Sequence, residues 1–163
     1  MTEASPLTEV AMPGAGDTSI AQGVEVAPMC YIAGPYGDKT GEKVDYNIQV
    51  AREAAIWLVR HGFFFSCPHL NSALFDRLVP EISVAHWYAQ DLRLMAPCDA
   101  MVLVGEWGKS KGVNKERERA KAIGMPMFDL TSVEERESLL AWRAEWLETV
   151  AKVFAPEAES PTI

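Results

Sequence analysis

"DAMVLVGEWGKSKGVNKERERAKAIGMPMFDL" (99–130) is the stretch from which the fold is read. Residues 99–105 form an apolar run ending in Gly105, 112–124 change to apolar spacings of three and four, and 125–130 are apolar again. Side chains repeat every two residues along a strand and every 3.6 along a helix, so the order is strand, helix, strand. A strand that is apolar throughout, not alternately, is covered on both faces, which is the condition of a parallel sheet. Working outward, "MCYIAG" (29–34) and "GFFFSC" (62–67) read as further strands. Residues 45–60, 83–96 and 132–153 read as helices. Asp45 is placed to cap the first of these, whose Ile48, Ala51, Ala55 and Leu58 share a face, and Gly62 follows its end. The last helix carries Leu139, Leu140, Trp142, Trp146, Leu147 and Val150, an apolar face suited to the sheet or to another subunit. The class is α/β, and ligands of such sheets sit at the carboxyl ends of the strands, here the loops after 34, 67 and 105.

With 163 residues the chain has the length of one domain, and its apolar and charged fractions are those of a soluble globular protein. It has no apolar run long enough to span a bilayer and no leader-like N-terminus, so a cytoplasmic protein without a membrane partner is expected. Cys30, Cys67 and Cys98 lie in or beside apolar runs without metal-ligand spacing and read as buried free thiols. Residues 1–26 and 155–163 lack apolar periodicity and are expected to be disordered tails around a domain at 27–154. Six of the eight excess negative charges lie in these tails, as Glu3, Glu9, Asp17, Glu25, Glu157 and Glu159, which leaves the central region near −2. No basic stripe for a nucleic acid backbone is present, although a small phosphorylated ligand is compatible with this charge.

Two carboxylates occupy positions that periodicity assigns to the interior. At 100° per residue, Val113, Glu116, Ala120 and Ile123 fall within roughly 80° of one another. Glu116 therefore faces inward, where an ionised carboxylate without partners costs several kcal/mol, of order ~3 or more. Two readings stay open for it: a rim residue bent back to Arg117 or Arg119, or a carboxylate with chemical work. On the helix 83–96, Val84, Trp87, Tyr88, Leu94 and Met95 define an apolar face with Asp91 in its middle. That Asp is either satisfied structurally, by a strand-end amide, Tyr88 or His86, or is a second functional acid. Both helices flank the strand 99–105, and paired carboxylates in a cleft are the apparatus of glycosyl transfer, which needs no metal.

"GKSKG" leads into the helix that bears Glu116, so Ser110 is its N-cap or close to it and Gly112 permits close backbone approach; two readings stay open, a plain helix cap or an anion site built on the free amides there. The spacing is not that of a P-loop, and "AGPYGDKTG" after the first strand is not a dinucleotide fingerprint.

"YIAGPYG", "CPHL", "QDLRLMAPCDAMVLVGEW" and "SKGVNKERERA", in this order, resemble the nucleoside 2-deoxyribosyltransferase superfamily, and most closely its 2'-deoxynucleoside 5'-monophosphate N-glycosidase branch. The resemblance covers roughly 29 to 130. It implies a Rossmann-like (flavodoxin-like) sandwich with a four- to five-stranded parallel sheet flanked by helices. It also implies Glu116 as nucleophile and Asp91 as second catalytic acid. By the same resemblance Gly34, Pro35, Tyr36 and Gly37 line the sugar-phosphate side, Tyr31 lies near the ribose, and His69 and Gly112 belong to the pocket. Transferases acting on free nucleosides usually have Asp six residues before the nucleophile and monophosphate hydrolases have Ser; Ser110 stands there. The implied activity is hydrolysis of a (deoxy)nucleoside 5'-monophosphate to base and sugar phosphate, without cofactor, by a homodimer or higher homo-oligomer. Base exchange by a transferase is the alternative, and a nucleotide-binding module without turnover is the second. Lys115 and Arg117 beside the nucleophile, and one extra residue between Asp91 and Ser110, depart from the pattern, so base choice does not carry over.

Overall fold

The structure is a computed structural model that describes residues 19–20, 24–37 and 43–153. Most of both expected tails lies outside these residues. Within the first, β1 (Ser19–Ile20) and β2 (Val24–Glu25) pair antiparallel over two residues each. The main sheet comprises β3 (Met29–Ala33), β4 (Phe64–Ser66), β5 (Ala100–Leu103) and β6 (Met127–Asp129), all parallel, in the order β4-β3-β5-β6. The helices between them are α1 (Val44–Arg60), α2 (Pro68–Asn71), α3 (Phe75–Leu78), α4 (Val84–Met95), α5 (Lys111–Ala122) and α6 (Val133–Val153). This is the Rossmann-like sandwich, with four strands in its parallel sheet.

The pleat sorts the core into two layers. Cys30, Ile32, Ala100 and Val102 point to one face, against Ala51, Ala55, Leu58 and Leu139 of α1 and α6. Tyr31, Ala33, Met101 and Leu103 point to the other, against Met95, Val113 and Ala120 of α4 and α5. Glu116 belongs to the second layer, on the same side of the sheet as Tyr31. After β4 the chain crosses to the far side of β3 to form β5, so the order reverses between these central strands and leaves a crevice at their carboxyl ends.

Several local expectations are corrected. Asp45 is not the cap of α1: Lys43 holds that position without a side-chain bond, and Asp45 lies in the first turn, where the helix dipole favours its charge. Gly62 does follow α1, at φ +75°. Ile123 is 42% exposed, because α5 ends before it. Val84, the first residue of α4, is 84% exposed. Leu139 of α6 is fully buried, while Trp146, Leu147 and Val150 are only half-buried. The short helices α2 and α3 are too brief for a periodic signal, although Pro68 directly after the Cys67 N-cap is a helix-start mark. Cys30, Cys67 and Cys98 are free and buried. Among the described residues no helix is long and apolar enough to cross a membrane.

Candidate active site

Ser110 caps α5 with its hydroxyl accepting from the Val113 amide at 3.3 Å. One and a half turns on, Glu116 emerges on the sheet side of the helix, 8% exposed. Directly beneath it Tyr31, fully buried on β3, donates its hydroxyl to Glu116 Oε1 at 2.8 Å. The rim reading of Glu116 is overturned: Arg117 bonds Asn114 and lies 4.4 Å over the Trp107 ring, and Arg119 is exposed. Burial pushes the Glu116 carboxyl up to about 7, Asp91 adds to the rise, and the Tyr31 hydrogen bond opposes it. Burial likewise lifts Asp91 to about 6. No hydrogen-bond partner meets Asp91 among the described residues, so neither Tyr88 nor His86 satisfies it. Two carboxyl groups that both resist ionisation face the same space, the condition under which one holds a proton near neutrality.

That space is a pocket of about 280 Å³ at the strand ends, lined by Gly34, His69, Asp91, Ser110, Gly112 and Glu116 among others. All three loops indicated by the sheet contribute to it. Gly34 is there for steric reasons, because a Cβ would stand 2.6 Å from Val104 Cγ2 and force the ends of β3 and β5 apart. Gly112 is exposed, and a Cβ on it would sit 3.8 Å from Ser110 Oγ, beside the free amides of α5. His69 is 5% exposed and donates from Nε2 to the Pro35 carbonyl at 2.8 Å. Burial lowers its pKa, which keeps the ring neutral, with the proton on Nε2.

Of the residues expected from sequence, Tyr36 also lines the pocket, whereas Tyr31, Pro35 and Gly37 do not. Tyr31 acts from below, through Glu116. Pro35 supplies the carbonyl that orients His69. Gly37 is exposed, away from the pocket, with only ordinary contact available to Val44. Sequence reasoning missed Asp76, Ser72 and Pro68, which line the pocket from the α2–α3 segment, and it placed Trp87 and Tyr88 in the core although they form the pocket wall. Their spacing from Asp91, at three and four residues, was the available signal. For Asp76, exposed on a four-residue helix, the sequence carries no signal.

The lining holds three carboxylates, Asp76, Asp91 and Glu116, and no Lys or Arg among the described residues. Nearby, Lys115 places its ammonium 5.4 Å over the ring of Tyr88. Fold and site together define a parallel α/β protein with a carboxylate-lined pocket at its topological switch point. The chain belongs to the family described as Domain of unknown function (DUF4406), whose model matches residues 28–129, from the residue before β3 to the end of β6. Comparison with curated proteins gives no match.

Proposed function

We propose that this protein is an N-glycosidase of the nucleoside 2-deoxyribosyltransferase type, acting on a (deoxy)nucleoside 5'-monophosphate. The ionised Glu116 carboxylate attacks C1', and the C1'–N bond breaks. Its electron pair leaves with the base, whose nitrogen takes the proton of the Asp91 carboxyl and leaves it ionised. Water then attacks C1' of the glycosyl ester and gives its proton to Asp91, which frees Glu116 and (deoxy)ribose 5-phosphate. Tyr31 aims the nucleophile and opposes its protonation, and the reactive form is the one in which the proton held by the pair sits on Asp91 and Glu116 is ionised. The phosphate rests on the Ser110 hydroxyl, whose proton is uncommitted while its oxygen accepts from Val113, and on the first amides of α5. No cofactor takes part, and the substrate is a free nucleotide of the cytoplasm, not a nucleic acid.

The observation that carries this reading is that Glu116 and Asp91, from different helices, line one pocket, where the Asp91 charge adds to the rise of the Glu116 pKa. The absence of a cation among the described lining residues favours a second reading, base exchange on free nucleosides. Incubation with a panel of nucleosides and their monophosphates, followed by chromatography of free base, separates the two. Release from monophosphates, abolished in Glu116→Ala, is the expected result, whereas release only with an added acceptor base identifies the transferase. Binding without release, unaltered in Glu116→Gln, leaves a nucleotide-binding module. The active form is proposed to be a homodimer or larger, with the half-buried Trp146, Leu147 and Val150 available to a second subunit; light scattering tests the mass.

A further inference from the structure

Resting on that reading, the pocket has a direction. Along α4 the lining residues Val84, Trp87, Tyr88 and Asp91 follow one helical face, about 10 Å from end to end. Asp91 marks the end shared with Glu116, where the sugar carbon must lie. A base attached to that carbon extends toward Val84 and Trp87, and there the wall is completed by α3. Phe75 meets Trp87 edge-on at 6.2 Å, so the next residue, Asp76, joins the lining beside Trp87, one helical turn from Asp91.

Asp76 is not loose at this position. The Tyr36 hydroxyl donates to Asp76 Oδ1 at 2.9 Å and accepts from the Leu74 amide at 2.7 Å. Leu74 is left-handed, at φ +64°, a conformation that a Leu adopts at a cost and that this amide bond helps to hold. Tyr36 is itself anchored, since the Asn47 side chain donates to its carbonyl at 2.9 Å and its ring meets His69 edge-on. With its hydroxyl donating once and accepting once, the proton of Tyr36 is spent on Asp76, so Tyr36 has none to give a ligand. Asp76 keeps its second oxygen, Oδ2, without a partner among the described residues. A carboxylate oxygen accepts and never donates.

We propose that Asp76, aimed by Tyr36, reads the far edge of the base and selects bases with an exocyclic amino group over their carbonyl counterparts. An amino group donates to Oδ2, while a carbonyl oxygen in the same place meets a like-signed acceptor. Asp76 is then a specificity residue and Tyr36 a positioning residue.

The test uses near-isosteric pairs, cytidine against uridine monophosphate and adenosine against inosine monophosphate, in ribo and deoxy forms. Binding is read by calorimetry on Glu116→Gln, and base release is read on the wild-type chain. Preference for the amino member by about tenfold is expected. Asp76→Ala and Tyr36→Phe should each carry the ratio toward one, and the double variant should match Asp76→Ala alone, because both changes remove one device. A merely structural role for Tyr36 would weaken all eight ligands alike. Equal binding of both members, or a preference that survives Asp76→Ala, overturns this proposal and leaves the glycosidase intact if base is still released. If none of the nucleotides binds, both proposals fall together.

Discussion

The Tyr31 hydroxyl and the Asp91 carboxyl act on Glu116 in opposite directions, one favouring its charge and the other opposing it. Their removal should therefore move the acidic limb of the pH profile for base release in opposite senses. Tyr31→Phe withdraws the donor, the Glu116 pKa rises from about 7, and the limb moves to higher pH. Asp91→Asn withdraws the like charge, and whatever activity remains extends to lower pH. Steady-state kcat/KM measured from pH 5 to 9 checks both. The same raised pKa makes a statement about stability. Between the ordinary 4.5 and about 7 the native state holds a proton that the unfolded chain has released, so stability falls as pH rises through this window. Glu116→Gln removes that loss. It should be more stable than the wild-type chain by about 1–3 kcal/mol at pH 8 and show no such gain below pH 4.5, as measured by urea denaturation. A site residue whose removal stabilises the fold is one kept for chemistry.

At the scale of elements, α5 and the β3 end each join stability to function. Ser110→Ala should cost about 1 kcal/mol through the lost cap. Ser110→Asp keeps a capping oxygen, and a carboxylate is favoured at a helix N-terminus, so the fold should survive while affinity for a monophosphate falls relative to its nucleoside. Denaturation and calorimetry on the two variants separate cap from phosphate site. Gly34→Ala presses on Val104 and should destabilise by about 1–3 kcal/mol. Combined with Val104→Ala it should cost less than the sum of the two changes, which a double-mutant cycle in urea measures. The helix α5 was legible because Val113 and Ala120 repeat at helical spacing on either side of one anomaly, Glu116. The helices α2 and α3 were not, since four residues make one turn and no period. They nonetheless supply His69 and Asp76 to the pocket, with Ser72 from the link between them.

For the molecule as a whole, a ligand that binds only the native pocket adds to its stability by mass action. The preferred nucleotide at one hundred times its dissociation constant should stabilise the chain by about 2.7 kcal/mol, seen as a rise in the thermal midpoint. The rise should be absent when the same concentration of base alone is supplied, if the sugar phosphate provides the main hold.

The amino-acid sequence by itself determined the α/β class, the four parallel strands, the longer helices α1, α4, α5 and α6 and the inward position of Glu116, because each of these rests on local periodicity, which a linear chain displays. The tertiary structure decided the rest. That Tyr31 lies under Glu116, 85 residues away, follows from the pairing of β3 with β5. That Arg117 turns to Trp107 and Asn114, leaving Glu116 without a cation among the described residues, depends on packing around α5. Tyr36 is spent on Asp76 and Leu74 because short helices fold back over a loop. Contacts between distant residues depend on three-dimensional geometry, and no spacing along the chain encodes which of two exposed polar groups will meet.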